Sequence, residues 1–348
     1  MKKVAVAILN WNGRALMEEF LPSVIEHTPE DIADIFVVDN ASTDDSITML
    51  KQKFPSVKLI LLDENYGFAE GYNKALKDIG FEYTVLLNSD VEVTSGWMDA
   101  PLKALEADDS IAGVQPKILS QRRKEYFEYG GASGGYLDKY GYPFCRGRLL
   151  HVVEKDKGQY NNPVDILWAT GACLFVRTKV YLKEGGLDSN FFAHQEEIDF
   201  CWRLRCRGYR LLCTPDSMVY HVGGGTLRTE SPRKTYLNFR NNLLMLFKNL
   251  PDDRIEHVMR VRFWLDYIAA SKFFLLGHFL NARAVYTARK DFFRMKKEYA
   301  DVRKENLSKT LAFNIPEVID CSLIFSFYLK RRRKYSSLTT NKNINSGV

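Results

Sequence analysis

The stretch Ile35-Phe36-Val37-Val38-Asp39-Asn40-Ala41-Ser42 predicts a short buried strand that ends in a polar turn. The same combination recurs on either side, since apolar runs at residues 4–9, 57–62 and 84–87 each end in polar residues. Helical patterns separate these runs, at residues 14–26, 46–54 and 69–79. Strands that alternate with helices in this way predict an α/β fold, with a mainly parallel central sheet covered by helices on both faces.

The polar residues that follow each predicted strand are the first candidates for a binding site. They lie in segments 10–12, 39–44, 63–66 and 88–90. In a parallel sheet these segments meet at one edge, beyond the carboxyl ends of the strands, where such folds bind their ligands. The sequence therefore predicts one site at that edge.

The middle of the chain has a weaker pattern. Residues 129–136 are glycine-rich, and the region from there to residue 163 is expected to be irregular. A strand over 168–177, a helix over 196–207 and a short strand over 211–213 are predicted to follow.

The last third of the chain is predicted to be helical, and it is basic. Helices are expected over residues 236–250, 254–281 and 284–304. We expect a first domain over residues 1–230, a helical C-terminal region over 231–335 and a disordered tail over 336–348.

The composition is that of a globular chain: 348 residues, 46% hydrophobic and 26% charged, with a net charge of +6. Six cysteines without a C-x-x-C pair argue against a disulfide scaffold and a zinc knuckle, and indicate reduced thiols in a cytosolic compartment. The apolar run at residues 4–9 is too short for a signal peptide. The best membrane-span candidate, residues 263–280, is interrupted by Asp266, Lys272 and His278.

Two of the polar segments carry features typical of nucleotide binding. Asp39 could accept hydrogen bonds from a base or a ribose, although a turn or helix-cap role is the alternative. The segment from Asn65 to Asn73 contains Gly67 and Gly71, which permit close approach of the backbone to a ligand; an ordinary glycine-containing loop is the alternative.

Two further segments carry side chains suited to catalysis. Asp90, just past a buried strand, could hold a divalent cation, and His221 could be a second ligand, although a lone histidine is more often structural. Glu196, Glu197 and Asp199 lie at the start of a predicted helix, where acids also simply suit the helix dipole. Mutual repulsion and aromatic neighbours could instead raise one pKa toward that of a general base.

Taken together and in this order, the segments resemble the family 2 glycosyltransferases, which have a GT-A fold. The resemblance covers roughly residues 4–225, and its sub-pattern is similar to the rhamnosyltransferase-like, non-processive branch. The Q-x-x-R-W signature of the processive enzymes is missing. The matching segments are Asn10-Trp11-Asn12-Gly13, residues 38–44, Asn65-x-Gly67-Phe68-Ala69-x-Gly71-x-Asn73, Asn88-Ser89-Asp90, Thr170-Gly171-Ala172 and Glu196-Glu197-x-Asp199-x-x-x-Arg203.

The resemblance implies roles for individual residues. The catalytic base would be Glu197, with Glu196 as the alternative, and Mn²⁺ or Mg²⁺ would be held by Asp90 and His221. Asn88 replaces the first aspartate of the family's D-x-D motif, so weaker metal affinity is expected. Asp199, Trp202 and Arg203 would order the helix or the acceptor pocket. The residues implied to surround the nucleotide sugar are Leu9, Asn10, Asp39, Asn65, Gly67, Asn73, Asn88, Ser89 and Gly171.

The implied reaction is inverting transfer of a hexosyl or deoxyhexosyl group from a nucleoside-diphosphate sugar to a hydroxyl of a glycan or lipid-linked acceptor, in cell-surface polysaccharide synthesis. The C-terminal helices, with Trp264, residues 273–280 and the basic cluster 330–334, suggest contact with a membrane surface. The alternative is a helical hairpin that packs on the catalytic domain or on a second copy in a homodimer. The expected location is the cytoplasm, at the inner face of the membrane if that contact is made, and no nucleic-acid partner is expected.

Two other classes of function compete with this interpretation. A sugar nucleotidyltransferase would share the base-binding half, but it would need a glycine-rich basic loop after the first strand, of which Asn10 to Arg14 is a poor version. A non-enzymatic module that binds membranes or polyanions would explain the basic tail. It would not explain the ordered acidic segments.

Overall fold

The computed structural model describes residues 2–223 and 231–338. The strands are β1 (Val4–Asn10), β2 (Ala33–Asp39), β3 (Lys58–Leu61), β4 (Tyr83–Asn88), β5 (Val91–Val93), β6 (Ile111–Ser120), β7 (Gly135–Asp138), β8 (Pro143–Cys145), β9 (Arg148–Leu149), β10 (Val152–Val153), β11 (Val164–Asp165), β12 (Cys173–Arg177), β13 (Arg210–His221) and β14 (Val318–Ile319). The helices are α1 (Arg14–His27), α2 (Ser46–Lys53), α3 (Gly67–Lys77), α4 (Asp99–Ala107), α5 (Thr178–Lys183), α6 (Glu196–Cys206), α7 (Pro232–Asn249), α8 (Asp252–Leu275), α9 (Phe279–Ser308) and α10 (Leu323–Tyr328). Short 3₁₀ helices occur at Ser189–Phe191 and Tyr335–Ser337.

The central sheet confirms the α/β prediction and is mixed rather than parallel throughout. Within the described residues it has nine strands, in the order β11-β13-β6-β12-β4-β1-β2-β3, with β5 paired to β13. The strands β4, β1, β2 and β3 are parallel to one another, as the alternating strands and helices predict. Strand β12 runs antiparallel between β4 and β6, so it breaks the parallel order in the second half of the sheet.

The middle segment is ordered, which corrects the expectation of an irregular region. Strands β7 to β10 form antiparallel pairs, and β14, from near the end of the chain, adds in parallel to β7. These strands are two to four residues long. Such short strands carry too little periodicity to be recognised, and β14 pairs with a strand far away in sequence.

The C-terminal helices share a hydrophobic core with the sheet domain. One cluster of buried side chains joins Ala5 and Leu86 of the sheet to Leu243 and Leu246 of α7 and to Phe292 of α9. A division at residue 230 therefore stays a prediction, and the packing supports treating α7 as part of the same unit.

Two expected boundaries shift in the C-terminal region. The break between the two long helices falls at residues 276–278, because Gly277 adopts a left-handed conformation with φ of +79°. In the expected tail, Leu338 is buried, while residues 339–348 lie outside the described residues. Among the described residues, every helix is too short or too polar to cross a lipid bilayer.

Candidate active site

The carboxyl ends of β2, β1 and β4 lie side by side. The strand register places Asn10 opposite Asp39 and Leu9 opposite Asn88. Because neighbouring strands are about 4.8 Å apart, Asp39 and Asn88 lie about 10 Å from each other across the sheet. A Cβ atom at Gly13 would lie 2.5 Å from Asn10 Oδ1 and 4.0 Å from Ser89 Oγ, so these three residues crowd the same edge.

Asp39 is held at the bottom of this edge by two donors. Asn10 Nδ2 donates to Asp39 Oδ1 at 2.9 Å, and the backbone N–H of Ser42 donates to Asp39 Oδ2, also at 2.9 Å. Asp39 and Asn10 are both buried, and among the described residues Asn10 Oδ1 has no hydrogen-bond partner. A buried acceptor without a partner points to a donor group that comes from a ligand.

Asn40 connects this edge to the start of α3. Its Nδ2 donates to Asn65 Oδ1 and to the carbonyl of Gly67, both at 3.0 Å, and its Oδ1 accepts from the backbone N–H of Tyr66 at 3.0 Å. Gly67 has φ of +72°, and a Cβ atom there would lie 2.6 Å from the ring of Phe192. Gly67 is therefore required by the close packing of Phe192.

Asp90 and His221 form a buried pair beside the end of β4. His221 Nε2 lies 3.0 Å from Asp90 Oδ1 and 3.4 Å from Asn88 Nδ2, and His221 Nδ1 lies 3.5 Å from Glu128 Oε1. Burial alone would lower the pKa of His221, but the two carboxylates outweigh it and raise that pKa to about 10. Burial would raise the pKa of Asp90, and the hydrogen bond and charge of His221 bring it below its usual value.

Asp90 and His221 supply only part of the ligand set that a divalent cation needs. Among residues 2–223 and 231–338, no group of three or more His, Cys, Asp and Glu side chains has the arrangement of a closed metal site. Asp90 and His221 supply one carboxylate and one imidazole, and Glu128 lies behind the ring, as carboxylates do behind metal-binding histidines. Mg²⁺ and Mn²⁺ commonly bind through one or two protein groups, water and the substrate's phosphates, so the pair fits such a site.

The carboxyl pair Glu196 and Glu197 opens α6. Glu196 is buried, Glu197 is half-buried, and an Oε2 atom of each is buried without a hydrogen-bond partner among the described residues. Burial raises the pKa of Glu197 to about 7, against backbone hydrogen bonds that lower it. Burial, with the charge of Glu197, raises the pKa of Glu196 well above its usual value. A helix N-terminus normally lowers the pKa of nearby carboxyl groups. Here the loss of solvation on burial has the larger effect, so the pKa of both glutamates is raised.

The segment before this pair has an uncommon backbone. Phe192, His194 and Gln195 have φ of +64°, +70° and +74°. Residues other than glycine rarely adopt such angles, and they persist only where surrounding contacts hold them. Burial, with the nearby charge of Lys234, lowers the pKa of His194 to about 4, so its imidazole is neutral at pH 7. We call residues 190–195 the left-handed loop.

A continuous set of contacts joins the left-handed loop to the edge of the sheet. The backbone N–H of Phe68 donates to the carbonyl of Phe192 at 2.8 Å. A Cβ atom at Gly171 would lie 2.8 Å from the Phe68 ring, and the N–H of Asn88 donates to the carbonyl of Ala172 at 3.0 Å. The structure therefore brings the start of α6 to the same edge as Gly67 and Asn88.

Asp199 and Arg203 order the helix and do not line an open pocket. Asp199 accepts from Arg203 Nε at 3.0 Å, Lys248 Nζ at 2.8 Å and Asn249 Nδ2 at 2.9 Å. Burial would raise the pKa of Asp199, but Lys248 and Arg203 lower it. Trp202 is buried in the hydrophobic core. Of the two roles expected for these residues, the contacts support helix ordering.

The side-chain amide of Asn73 is also occupied by hydrogen bonds within the protein. Its Nδ2 donates to the carbonyl of Leu187 at 2.7 Å, and its Oδ1 accepts from the N–H of Leu187 at 3.0 Å and from the Tyr181 hydroxyl at 2.7 Å. With these partners, Asn73 is better suited to support the segment before the left-handed loop than to bind a nucleotide sugar.

Sequence reasoning missed three groups of residues at this site. They are Asn40, Glu128 and the polar residues of α7 that contact the left-handed loop. Glu128 precedes the glycine-rich segment 129–136, which gave the only signal for it. The α7 residues lie in the helix predicted over residues 236–250, where no site residue is predicted, and nothing in the sequence relates them to a loop about 50 residues earlier.

The model of the family described as "Glycosyl transferase family 2" matches residues 5–167, which contain β1 to β4 and the Asn88-Ser89-Asp90 segment. The match identifies a glycosyltransferase family 2 domain in the first half of the chain. The curated relatives agree. An N-acetylglucosaminyl-diphospho-decaprenol L-rhamnosyltransferase of Mycobacterium tuberculosis is 24% identical over 59% of this chain and 71% of its own length. The low-salt glycan biosynthesis hexosyltransferase Agl10 of Haloferax volcanii is 24% identical over 61% of this chain and 67% of its own length. The rhamnosyltransferase WbbL of Escherichia coli is 23% identical over 55% of this chain and 72% of its own length.

Solved structures place this glycosyltransferase in the GT-A fold. GalNAc-T7 with UDP, GalNAc and Mn²⁺ superposes with a TM-score of 0.57 at 15% identity, over 91% of this chain and 58% of that one. TarS residues 1–349 of S. aureus with UDP-GlcNAc superpose with a TM-score of 0.53 at 15% identity, over 88% and 89% of the two chains. The α/β fold class and the family predicted from the sequence are both confirmed.

Proposed function

We propose that this glycosyltransferase catalyses inverting transfer of a sugar from a nucleoside-diphosphate sugar to an acceptor hydroxyl, with Glu197 as the general base. The observation that carries the proposal is the pair of carboxyl groups at the start of α6, each with one buried oxygen that lacks a hydrogen-bond partner among the described residues, held next to the carboxyl edge of the sheet. A carboxylate with a pKa of about 7 is well matched to accept a proton at neutral pH.

We propose that the two glutamates have different roles because their carboxyl groups have different pKa values. Burial and the charge of Glu197 raise the pKa of Glu196 well above its usual value, which favours its neutral form. Glu197 is the more exposed of the two and ionises near pH 7, so it takes the acceptor's proton as the hydroxyl oxygen attacks the anomeric carbon. A neutral Glu196 adds no second negative charge beside the base, which lets Glu197 ionise near neutral pH.

The donor is proposed to lie along the edge formed by β2, β1 and β4. Asp39 and the unpaired Asn10 Oδ1 are placed to receive the base or the ribose. Asp90 and His221 would hold Mn²⁺ or Mg²⁺ beside the diphosphate. A bound divalent cation supplies positive charge against the negative charge that develops on the departing diphosphate.

The relatives suggest which substrates to test first. Two of the relatives described above are named rhamnosyltransferases, and one name includes a decaprenol-linked diphosphate acceptor. We propose a deoxyhexose or hexose donor and a glycan or lipid-linked acceptor, in the synthesis of a cell-surface polysaccharide. A sugar nucleotidyltransferase is not favoured, because the family model that matches is that of a glycosyltransferase family.

The function is tested by incubating the protein with Mn²⁺ and a panel of nucleoside-diphosphate sugars, including rhamnose donors, and measuring release of free nucleoside diphosphate. We expect one donor to release nucleoside diphosphate and to raise the melting temperature of the protein. Adding lipid-linked acceptors should accelerate release, since transfer is faster than hydrolysis. In a parallel assay with added inorganic diphosphate, formation of nucleoside triphosphate and sugar 1-phosphate would contradict the proposal and favour nucleotidyl transfer.

The hairpin tip between α8 and α9 supports a membrane-bound acceptor. The tip, residues 273–280, exposes large apolar side chains: Phe274, Leu275, Leu276, Phe279 and Leu280 are each 58–84% exposed. Between Asp266 and Asp291 the chain contains no acidic residue, and it has the exposed cations Lys272, Arg283 and Lys290. Exposed apolar side chains among cations favour an anionic lipid surface, and they disfavour a second, equally basic copy of the tip. We propose that the tip docks on the cytoplasmic face of the membrane.

Membrane docking by the tip is tested by flotation with vesicles. The wild-type chain should float with phosphatidylcholine vesicles that contain phosphatidylglycerol. Leu275→Ser with Leu280→Ser should weaken binding by roughly tenfold or more, since burial of each leucine contributes about 1.5–3 kcal/mol. Leu311→Ser, at an exposed leucine outside the tip, is the matched control. If the double variant floats like the wild type, or if it instead dissociates a dimer in light scattering, the membrane proposal is wrong.

A further inference from the structure

A row of polar residues on α7 faces the left-handed loop. Asn241 Nδ2 lies 2.9 Å from the carbonyl of Phe191, 3.0 Å from that of Ala193 and 2.7 Å from that of His194. We propose that Asn241 is a positioning residue for catalysis: it holds the left-handed loop in the conformation that aims Glu197 at the acceptor. This inference rests on the proposed role of Glu197 as the base.

Neighbouring residues of α7 strengthen the same contact. Arg240 Nη2 donates to the carbonyl of Asn190 at 2.8 Å and to that of Phe191 at 3.2 Å. Asn242 Nδ2 donates to Gln195 Oε1 at 3.0 Å, and Gln195 Nε2 donates to Asn238 Oδ1 at 3.3 Å. Every residue from 190 to 195 is thus contacted by α7; for Phe192 the contact is with Arg233, whose guanidinium lies 5.0 Å from the ring.

The loop needs such support because its backbone is unfavourable. Phe192, His194 and Gln195 are all in the left-handed region, and each of them carries a Cβ atom that makes this region costly. Without donors at the three carbonyls, the peptide units of residues 191–194 can rotate to ordinary angles. Glu196 and Glu197 follow directly, so such a rotation would turn the first turn of α6 away from its present direction.

The contacts of Asn241 distinguish a positioning role from ordinary packing. Asn241 is fully buried and uses its amide on the loop's backbone rather than on another helix. The loop also contacts the donor side of the site, since the carbonyl of Phe192 accepts from the N–H of Phe68 at the start of α3. Asn241 therefore fixes the base relative to the segment proposed to hold the donor.

The experiment compares Asn241→Ala with Asn306→Ala as a matched control. Asn306 is also a buried asparagine whose amide donates to a backbone carbonyl, that of Lys248 at 2.8 Å, at the end of α7 away from the loop. Asn241→Ala should lower kcat by about 10²-fold, because small misplacement of a reacting group costs that much, while the donor's KM is unchanged. Asn306→Ala should lower the melting temperature without this loss of kcat.

A second variant protects the test against misfolding. Arg240→Met removes the guanidinium contacts to the loop from a half-buried side chain, and should reduce kcat in the same sense but by less. Equal losses of kcat in Asn241→Ala and Asn306→Ala, or an unchanged kcat in Asn241→Ala, would overturn the inference. If Glu197→Gln retains full turnover, it is the proposed function that fails, whatever the Asn241 variants do.

Discussion

Glu197→Gln should leave an enzyme that binds its donor normally but transfers sugar about 10²–10⁴-fold more slowly. Glutamine has the same shape as glutamate but cannot accept the acceptor's proton. Because the substitution preserves the shape of the side chain, and Glu197 is proposed to act on the acceptor's hydroxyl, the affinity for the donor should not change. Titration of donor binding, together with single-turnover measurement of transfer, checks both halves of the expectation.

Glu196→Gln is the natural control for this experiment. Burial raises the pKa of Glu196 and favours its protonated form, so an amide of the same shape should preserve most of the turnover. The reverse pattern, with Glu196→Gln inactive and Glu197→Gln active, would show that the base has been assigned to the wrong residue.

The pH dependence of the wild-type enzyme follows from the same carboxyl group. The base acts only when it has lost its proton, and burial places the pKa of Glu197 at about 7. The value of kcat should therefore rise as the pH increases through about 7 and level off above it. A rate that is already constant from pH 5 upward would indicate a base with an ordinary carboxyl pKa.

Asp90→Asn should abolish the metal dependence of donor binding and lower kcat by about 10²–10³-fold, by analogy with the loss of one preorganised group at a developing charge. The substitution removes the only carboxylate of the Asp90–His221 pair. Calorimetry with the preferred donor, in Mn²⁺ and in EDTA, measures the effect directly.

A neighbouring residue supplies the control for Asp90. Glu92, two residues after Asp90, lies on β5 and pairs with Lys124 at the surface, so Glu92→Gln should behave as the wild type. If the wild-type enzyme binds its donor equally well in Mn²⁺ and in EDTA, the metal proposal is wrong, and His221 with Asp90 is then only a buried structural pair.

Most of the nucleotide-binding half could be predicted from the sequence. The strands that end at Leu9, Val38 and Leu87 are apolar runs, and the polar residues after each are consecutive in the sequence. Parallel pairing then places Asn10, Asp39 and Asn88 at one edge without further information. The order of six short segments was specific enough to identify the family.

The protonation states at the base could not be predicted in the same way. From the sequence, Glu196 and Glu197 are equivalent neighbours, and the helix dipole favours ionisation of both. Only the fold buries Glu196 further than Glu197, and the difference in desolvation gives one carboxyl group a pKa suited to catalysis.

The sequence by itself determined the family, the alternation of strands and helices and the residues at the carboxyl edge of the sheet, because periodicity and turn chemistry act between residues close together in the chain. Only the tertiary structure decided that Glu128 stands behind His221, that β14 completes a sheet begun by β7, and that Asn241 holds the left-handed loop. These contacts join residues from about 50 to 180 positions apart. Their partners are selected by packing of the whole core, and no local pattern records that choice.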